Sequence, residues 1–221
     1  MIPLYDTIRS RRFPFINWML ILANAAVFWF ELQLGEDALR NFIFTWGLIP
    51  AELMSNSQEE WLTIFTSMFL HGGWFHIISN MWVLYIFGDN IEDRLGSTPY
   101  LLFYLLGGVA AAFLQIFVVQ GSSDPMIGAS GAIAGVLGAY LISYPGARIA
   151  SLVPILFIFT IVDVPAVLFL IFWFVSQLYS GLFAIQGGSA SGIAWWAHIG
   201  GFIFGLIMVS FFGRRTVYQR Y

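Results

Sequence analysis

Six long apolar runs recur along the chain, and runs of this kind can fold in only a few ways. They cover residues 16–32, 74–89, 100–119, 127–143, 165–182 and 194–212. A helix that crosses a bilayer needs roughly 17–25 mostly apolar residues. Only 10% of the residues are charged, whereas a soluble domain has about 25%, so polar groups could not cover the surface of this chain in water. The sequence therefore predicts an all-α polytopic membrane protein with six transmembrane helices.

The arginines indicate how these helices are oriented. With six spans, eight of the nine positive charges lie on one side of the membrane and only Arg40 lies on the other. The positive-inside rule then predicts that both termini are cytoplasmic. Residues 1–15 form a cytoplasmic segment, residues 16–212 form the six-helix domain, and residues 213–221 form a cytoplasmic tail. The connection 35–73 is predicted to be a long external loop that is partly embedded in the membrane.

Several features of the sequence exclude or restrict other interpretations. The chain has no cysteine, which excludes disulfides, thiolate metal sites and a cysteine nucleophile. No basic run indicates a nucleic-acid partner, and no cofactor or metal is predicted. The short apolar run 152–161 contains Pro154 and is predicted to be interfacial or packed against the bundle. Asp163 is predicted to cap the helix that begins at Pro165.

Among the polar side chains inside or beside the predicted spans, the unusual ones are His76, Asn80, Ser130 and His198. Polar groups inside a membrane are costly, so each is a candidate for a functional role. The second, fourth and sixth spans run in the same direction, and all four residues lie near the start of their span. We therefore expect them at a similar depth, just below the external surface. His76 and Asn80 are four residues apart and share one helix face.

Glycines explain how these helices could meet. In the fourth span they recur at spacings of three, four and three, and the sixth span has Gly201 and Gly205 in a Gly-x-x-x-Gly pattern. Such small-residue faces let two backbones approach closely, which could bring Ser130 within hydrogen-bond reach of His198. Taken alone, this pattern is more typical of helix packing than of catalysis, and Asn80 or His198 alone could simply bond between helices. The glycines of the fourth span are Gly128, Gly131, Gly135 and Gly138.

Three segments together resemble the rhomboid family of intramembrane serine proteases. The family has a His-x4-His-x3-Asn motif at the start of its second helix, a Gly-x-Ser-Gly motif at the start of its fourth, and an Ala-His-x-Gly-Gly motif in its sixth. This chain has "HGGWFHIISN", "GASG" and "AHIGG" in the same order. The matching residues are His71, His76 and Asn80, then Gly128, Ser130 and Gly131, then Ala197, His198, Gly200 and Gly201.

The resemblance implies a six-helix rhomboid-like bundle that cleaves transmembrane helices of other membrane proteins near the external face. Ser130 would be the nucleophile and His198 the general base, without an acidic third residue, and His76 and Asn80 would stabilise the oxyanion. The expected location is the bacterial inner membrane, with the lipid bilayer as surroundings and an oligomeric state that the sequence leaves open. Residues with a structural role near the site would be His71, Gly128, Gly131, Gly200 and Gly201.

Two positions differ from the pattern of many family members. The external loop has Trp61-Leu62 where a Trp-Arg pair is common, and Ala134 stands where an aromatic ring often packs against the histidine. We therefore expect Trp195 or Trp196 to orient His198. Two alternative functions are a rhomboid-like protein that binds membrane clients and is catalytically weak or inactive, and a small transporter or channel. The intact serine and histidine argue against the first, and the absence of an internal repeat argues against the second.

Overall fold

The computed structural model describes residues 1–155, 158–185 and 193–212. Most of these residues are helical, and three short strands complete the fold. The strands are β1 (Ile2–Asp6), β2 (Arg148–Ile155) and β3 (Ile158–Pro165). The helices are α1 (Phe15–Glu31), α2 (Glu36–Trp46), α3 (Pro50–Ser55), α4 (Ser57–Glu60), α5 (Thr63–Thr66), α6 (Trp74–Leu95), α7 (Ser97–Val118), α8 (Ser130–Ser143), α9 (Ala166–Ile185) and α10 (Trp195–Phe212).

Each of the six predicted spans contains one long helix, namely α1, α6, α7, α8, α9 or α10. Among the described residues, α7, α9 and α10 are long and apolar enough to cross a membrane. Helices α1 and α8 are apolar but shorter, with 17 and 14 residues, and the last two turns of α6 carry four charged residues. The chain is therefore a mostly helical protein with three clear membrane-span candidates, and the count of six spans stays a prediction.

Helix α8 is the centre of the bundle. Eleven of its 14 residues are buried, and it packs against α6, α7 and α10. A Cβ atom placed on Gly138 would lie 2.1 Å from the carbonyl oxygen of Phe202, and one placed on Gly205 would lie 2.0 Å from that of Gly135. Real Cβ atoms do not come this close to another atom. The backbones of α8 and α10 are thus in direct contact, as the glycine spacing predicted.

A three-stranded antiparallel sheet lies where α6 and α8 end, so the prediction of an all-α fold is wrong in this part. Strands β2 and β3 form a hairpin, and β1 pairs with β2, with Ile2 opposite Leu152. The two strands of the hairpin are rich in Ile and Val, which favour strands. The described residues of the run 152–161 belong to these two strands. Asp163 lies in β3 opposite Ala150 and does not cap a helix, because α9 begins at Ala166.

Side chains near the sheet join β1 to the core helices. One carboxylate oxygen of Asp6 accepts a hydrogen bond from Asn90 on α6 at 2.9 Å and another from the hydroxyl of Tyr140 on α8. Burial raises the pKa of Asp6 to about 6.

Glu92, itself buried, accepts the backbone N–H groups of Ile16 at 3.0 Å and Asn17 at 2.8 Å. These bonds satisfy two N–H groups at the start of α1 that have no partner within the helix.

The long connection between α1 and α6 consists of α2 to α5 and a 3₁₀ turn over Ser67–Phe69. Backbone hydrogen bonds fasten it to the segment before α8. Leu48 forms a β-bridge with Met126, and the carbonyl of Ser67 accepts the N–H of Gly128 at 2.8 Å. This connection therefore helps to set the position of the residues that precede Ser130. Its predicted embedding in a membrane stays a prediction.

Candidate active site

Ser130 and His198 lie side by side although 68 residues separate them. Ser130 is the first residue of α8 and His198 lies in the first turn of α10. The Nε2 atom of His198 is 2.8 Å from the Oγ atom of Ser130, a normal hydrogen-bond length. Both side chains are half-buried. A serine whose hydroxyl faces an imidazole nitrogen has the arrangement of a nucleophile and its general base.

Glycine contacts hold the two helices at this separation. A Cβ on Gly201 would lie 1.9 Å from the carbonyl oxygen of Gly131, the residue that follows Ser130. A Cβ on Gly200 would lie 2.8 Å from the Cβ of Leu114 on α7. No side chain other than hydrogen fits at either position without moving a backbone. These glycines therefore fix how closely α10 approaches α7 and α8 beside the serine.

The surroundings of His198 differ from the sequence prediction. The Oε1 atom of Gln177 on α9 lies 2.7 Å from His198 Nδ1. Two indole rings flank the imidazole at 6.0 Å between ring centroids: Trp173 is tilted by 35° and Trp195 stands edge-on at 89°. Of the two tryptophans expected to orient His198, Trp195 is the one whose ring lies against it. Trp196 instead lies against Gly181 of α9.

Sequence reasoning missed Gln177 and Trp173. A signal was present, because Gln177 is a polar residue inside an apolar span and such residues are functional candidates. Ala134 is fully buried in the core of the bundle. Trp173, on α9, supplies one of the rings beside His198.

His76, Asn80 and Gly128 meet on the other side of Ser130. Gly128 has φ +120°, and a Cβ there would lie 2.6 Å from His76 Nε2 and 3.7 Å from Asn80 Nδ2. The N–H of Gly72 points to His76 Nδ1 at 3.3 Å, so in the neutral ring the proton is on Nε2, beside Gly128. Asn80 is 7% exposed, and its Nδ2 has no hydrogen-bond partner among the described residues. The amide NH₂ of Asn80 and the Nε2–H of neutral His76 therefore lie close to Gly128, just before the start of α8.

His71 lies behind this pair and has structural contacts. Its backbone N–H donates to the buried carboxylate of Glu31, with distances of 3.2 and 3.3 Å to the two oxygens. Its ring is 2% exposed and meets the ring of His76 edge-on at 5.0 Å. Burial, and then the neighbouring charge of His76, lowers the pKa of His71 to about 4. His71 is therefore neutral at physiological pH and supports His76 by packing.

Comparison with known proteins agrees with the three motifs. The family model of the rhomboid domain matches residues 58–215, which is more than half of the chain. The chain belongs to the rhomboid family. The family predicted from the sequence is confirmed, and the matched region of this rhomboid contains His71, His76, Asn80, Ser130 and His198.

Similar proteins occur in eukaryotes and in a bacterium. The mouse presenilin-associated rhomboid-like protein, mitochondrial, is 34% identical over 145 residues, or 64% of this rhomboid and 36% of that protein. RHOMBOID-like protein 6, mitochondrial, of Arabidopsis thaliana is 35% identical over 95 residues, or 43% and 30%. YdcA of Bacillus subtilis, named as a candidate rhomboid protease, is 28% identical over 132 residues, or 59% and 63%.

The alignments thus span about a third of the first two relatives. They support a membrane location and do not select the bacterial inner membrane over an organelle.

A small pocket opens beside Ser130 in this rhomboid. Its volume is about 20 Å³, which is room for about one water molecule or a methyl-sized group. Glycine, alanine and methionine residues from α7, α8, α10 and the long connection line most of it. The lining includes Met68, Gly108, Met126, Gly128, Gly131 and Ala197.

Proposed function

We propose that this rhomboid is an intramembrane serine endopeptidase that cleaves transmembrane helices of other membrane proteins near the external face. The observation that carries the proposal is the 2.8 Å contact between Ser130 Oγ and His198 Nε2. Two helix starts, distant in sequence, bring a nucleophile and a base together. A role in packing alone would not require this contact.

The reaction would proceed by acyl transfer. Ser130 Oγ attacks the peptide carbonyl carbon while its proton passes to His198 Nε2. The carbon–nitrogen bond then breaks, and the same proton goes to the leaving amine. In the second half, water attacks the acyl ester and gives a proton to His198. That proton returns to Ser130 Oγ when the carboxylic acid product leaves.

The negative oxygen of the tetrahedral intermediate needs preorganised donors. We assign this role to Asn80 Nδ2, His76 Nε2 and the backbone N–H of Ser130. The first is buried and has no hydrogen-bond partner within the described part of the chain. The second faces Gly128, and the third lies at a helix start, where free N–H groups and the helix dipole favour negative charge. The pocket beside Ser130 supports a small side chain at the cleaved bond.

The proposed topology has six spans, with the serine near the external face and both termini cytoplasmic. The arginine asymmetry supports this arrangement. A substrate helix would enter from the bilayer and unwind at the site, because a peptide bond inside an intact helix cannot reach Ser130. The bacterial inner membrane is the proposed location, and YdcA is a bacterial relative.

A fluorophosphonate probe tests the nucleophile. The wild-type protein in detergent should be labelled, and the Ser130→Ala variant should not. Ser143→Ala is a matched control, since Ser143 is a buried serine on the same helix whose hydroxyl donates to the carbonyl of Ala139 at 2.6 Å. Equal labelling of wild type and Ser130→Ala would contradict the proposal.

A helical reporter substrate tests the base and the reaction. Wild type should cut it in proteoliposomes, whereas His198→Ala should lose at least about 100-fold in rate. Retained cleavage by His198→Ala would mean that another group is the base. Tight binding of the reporter without any cleavage by wild type would instead favour the client-binding function.

A further inference from the structure

We infer that Gln177 is a positioning residue of this site and sets which nitrogen of His198 carries the proton. This inference rests on the proposed function, since it concerns the same serine and histidine. It adds a third, uncharged member to what the sequence predicted to be a dyad. The contact that carries it is the 2.7 Å distance from His198 Nδ1 to Gln177 Oε1.

The hydrogen bonds of the Gln177 amide determine which of its ends faces the histidine. Its Nε2 atom donates to the Oγ of Ser176 at 3.0 Å and points to the carbonyl oxygen of Trp173 at 3.4 Å. Both partners can accept, so the NH₂ end is satisfied within α9. The oxygen end is then the one directed at His198. Gln177 is 7% exposed, so water competes little for either end.

This orientation selects one tautomer of the imidazole. A carbonyl oxygen can only accept a hydrogen bond, so His198 Nδ1 must carry the proton. In the neutral ring, Nε2 then has a free lone pair, and it points at the Ser130 hydroxyl 2.8 Å away. The opposite tautomer would place an N–H against the serine and leave no base. Gln177 therefore holds His198 in the form that can accept the proton of Ser130.

Trp173 contributes to the same arrangement from one turn earlier on α9. Its carbonyl faces the Gln177 amide, and its ring lies 6.0 Å from the ring of His198. One helical turn thus fixes both the tautomer and the plane of the imidazole. Helix α9 carries these groups without a charge, which suits a membrane interior because a buried carboxylate there would be costly.

Two substitutions separate positioning from a general effect on structure. Gln177→Leu removes the acceptor at similar volume, and we expect kcat for the reporter to fall about 100-fold with little change in KM. Gln177→Glu keeps an acceptor oxygen at the same place, so it should recover most of that loss. Gln33→Leu is the matched control, because it makes the same chemical change at an exposed position just past the end of α1.

The pH dependence of Gln177→Glu gives a readout that packing alone would not move. A carboxylate beside Nδ1 stabilises the protonated ring, so the acid limb of the kcat/KM profile should shift to higher pH by about one unit or more. His76 on α6 is another titratable side chain of the proposed site, so the shift should persist in a His76→Gln background. An unchanged acid limb, or equal losses in Gln177→Leu and Gln177→Glu, would overturn the inference.

Nitrogen-15 NMR observes the tautomer without requiring activity. The chain has three histidines, so ¹⁵N-histidine labelling of the Ser130→Ala variant gives few signals to assign. We expect His198 to be protonated at Nδ1, and Gln177→Leu to convert it to a mixture of tautomers. A proton on Nε2 would overturn the role of Gln177 whatever the protein cleaves. Equal labelling of wild type and Ser130→Ala by the fluorophosphonate probe would instead refute the proposed function.

Discussion

Replacing Gly201 with alanine tests whether the contact between α8 and α10 sets the catalytic geometry. The new Cβ would lie 1.9 Å from the carbonyl oxygen of Gly131 and 3.0 Å from its carbon. Real Cβ atoms essentially never come within 3.0 Å of another heavy atom. Because the obstructing atoms belong to the backbone, rotation of a side chain cannot relieve the clash. The two helices must move apart by at least about 1 Å.

This displacement should lengthen the distance between Ser130 and His198. Gly131 follows Ser130, and Gly201 lies one turn after His198, so both lie on the faces that meet. A separation of 2.8 Å between Ser130 Oγ and His198 Nε2 that grows by about 1 Å is too long for a hydrogen bond. A misplacement of this size costs about 100-fold in rate. Overpacking should also cost roughly 1–3 kcal/mol of stability, offset by about 1 kcal/mol because alanine favours a helix more than glycine does.

Two other glycines provide a graded control for this substitution. A Cβ on Gly135 would lie 3.4 Å from its nearest neighbour, the carbonyl oxygen of Gly201, and one on Gly146 would meet nothing within 4 Å. We therefore expect Gly135→Ala and Gly146→Ala to keep nearly normal rates of fluorophosphonate labelling. Thermal unfolding of each variant shows how much of a lost rate reflects unfolded protein. A Gly201→Ala protein labelled within about threefold of wild type would refute the reasoning, as would an equal loss in Gly135→Ala.

Three further expectations follow from other contacts. Asn80→Ala should lower kcat by about 100- to 1000-fold with KM nearly unchanged, as for loss of an oxyanion donor, and an unchanged kcat would remove Asn80 from that role. Burial raises the pKa of Asp6 from 3.8 to about 6, so its protonated form favours the folded state and its contribution to stability is lost as pH rises from about 4 to 6. Asp6→Asn should therefore be more stable than wild type at pH 7 and equally stable near pH 4. Thermal unfolding at both pH values tests this, and a variant that is less stable than wild type at pH 7 would contradict it. Glu92→Leu should lower the thermal unfolding midpoint markedly, because each hydrogen bond to a charged acceptor is worth roughly 1.5–3 kcal/mol, whereas an unchanged midpoint would show that α1 does not depend on this carboxylate.

Much of the site could be predicted because its constraints are local in sequence. The spacing of Gly128, Gly131, Gly201 and their neighbours is sufficient to predict close helix contact, and such contact is the reason why polar groups at similar depths can meet. The expectation that Ser130 and His198 approach each other agrees with their 2.8 Å separation. The bounds of the six long helices also agree with the apolar runs to within a few residues.

Gln177 could not be placed because its role depends on how α9 is rotated about its axis. No motif surrounds it, and the apolar residues of α9 cover nearly all of the helix, so the sequence does not indicate which face meets α10. The sheet was missed for a different reason. β1 finds its partner strand much later in the chain, with Asp6 opposite Ile149 and Ile2 opposite Leu152. Such long-range pairing leaves no periodic signal.

The pairing of β1 with β2 also affects the order in which parts of the chain can fold during synthesis. A ribosome adds about 5–20 residues per second, so the 141 residues that separate Thr7 from Arg148 take on the order of 10 s to synthesise. During that interval β1 has been synthesised but β2 has not. Asp6 likewise lacks its partner Tyr140 until a further 134 residues have been added. The first strand is therefore among the last parts to be fastened, after α1, α6, α7 and α8 exist. Crosslinking of arrested nascent chains between positions 2 and 152 should succeed only after the hairpin has emerged.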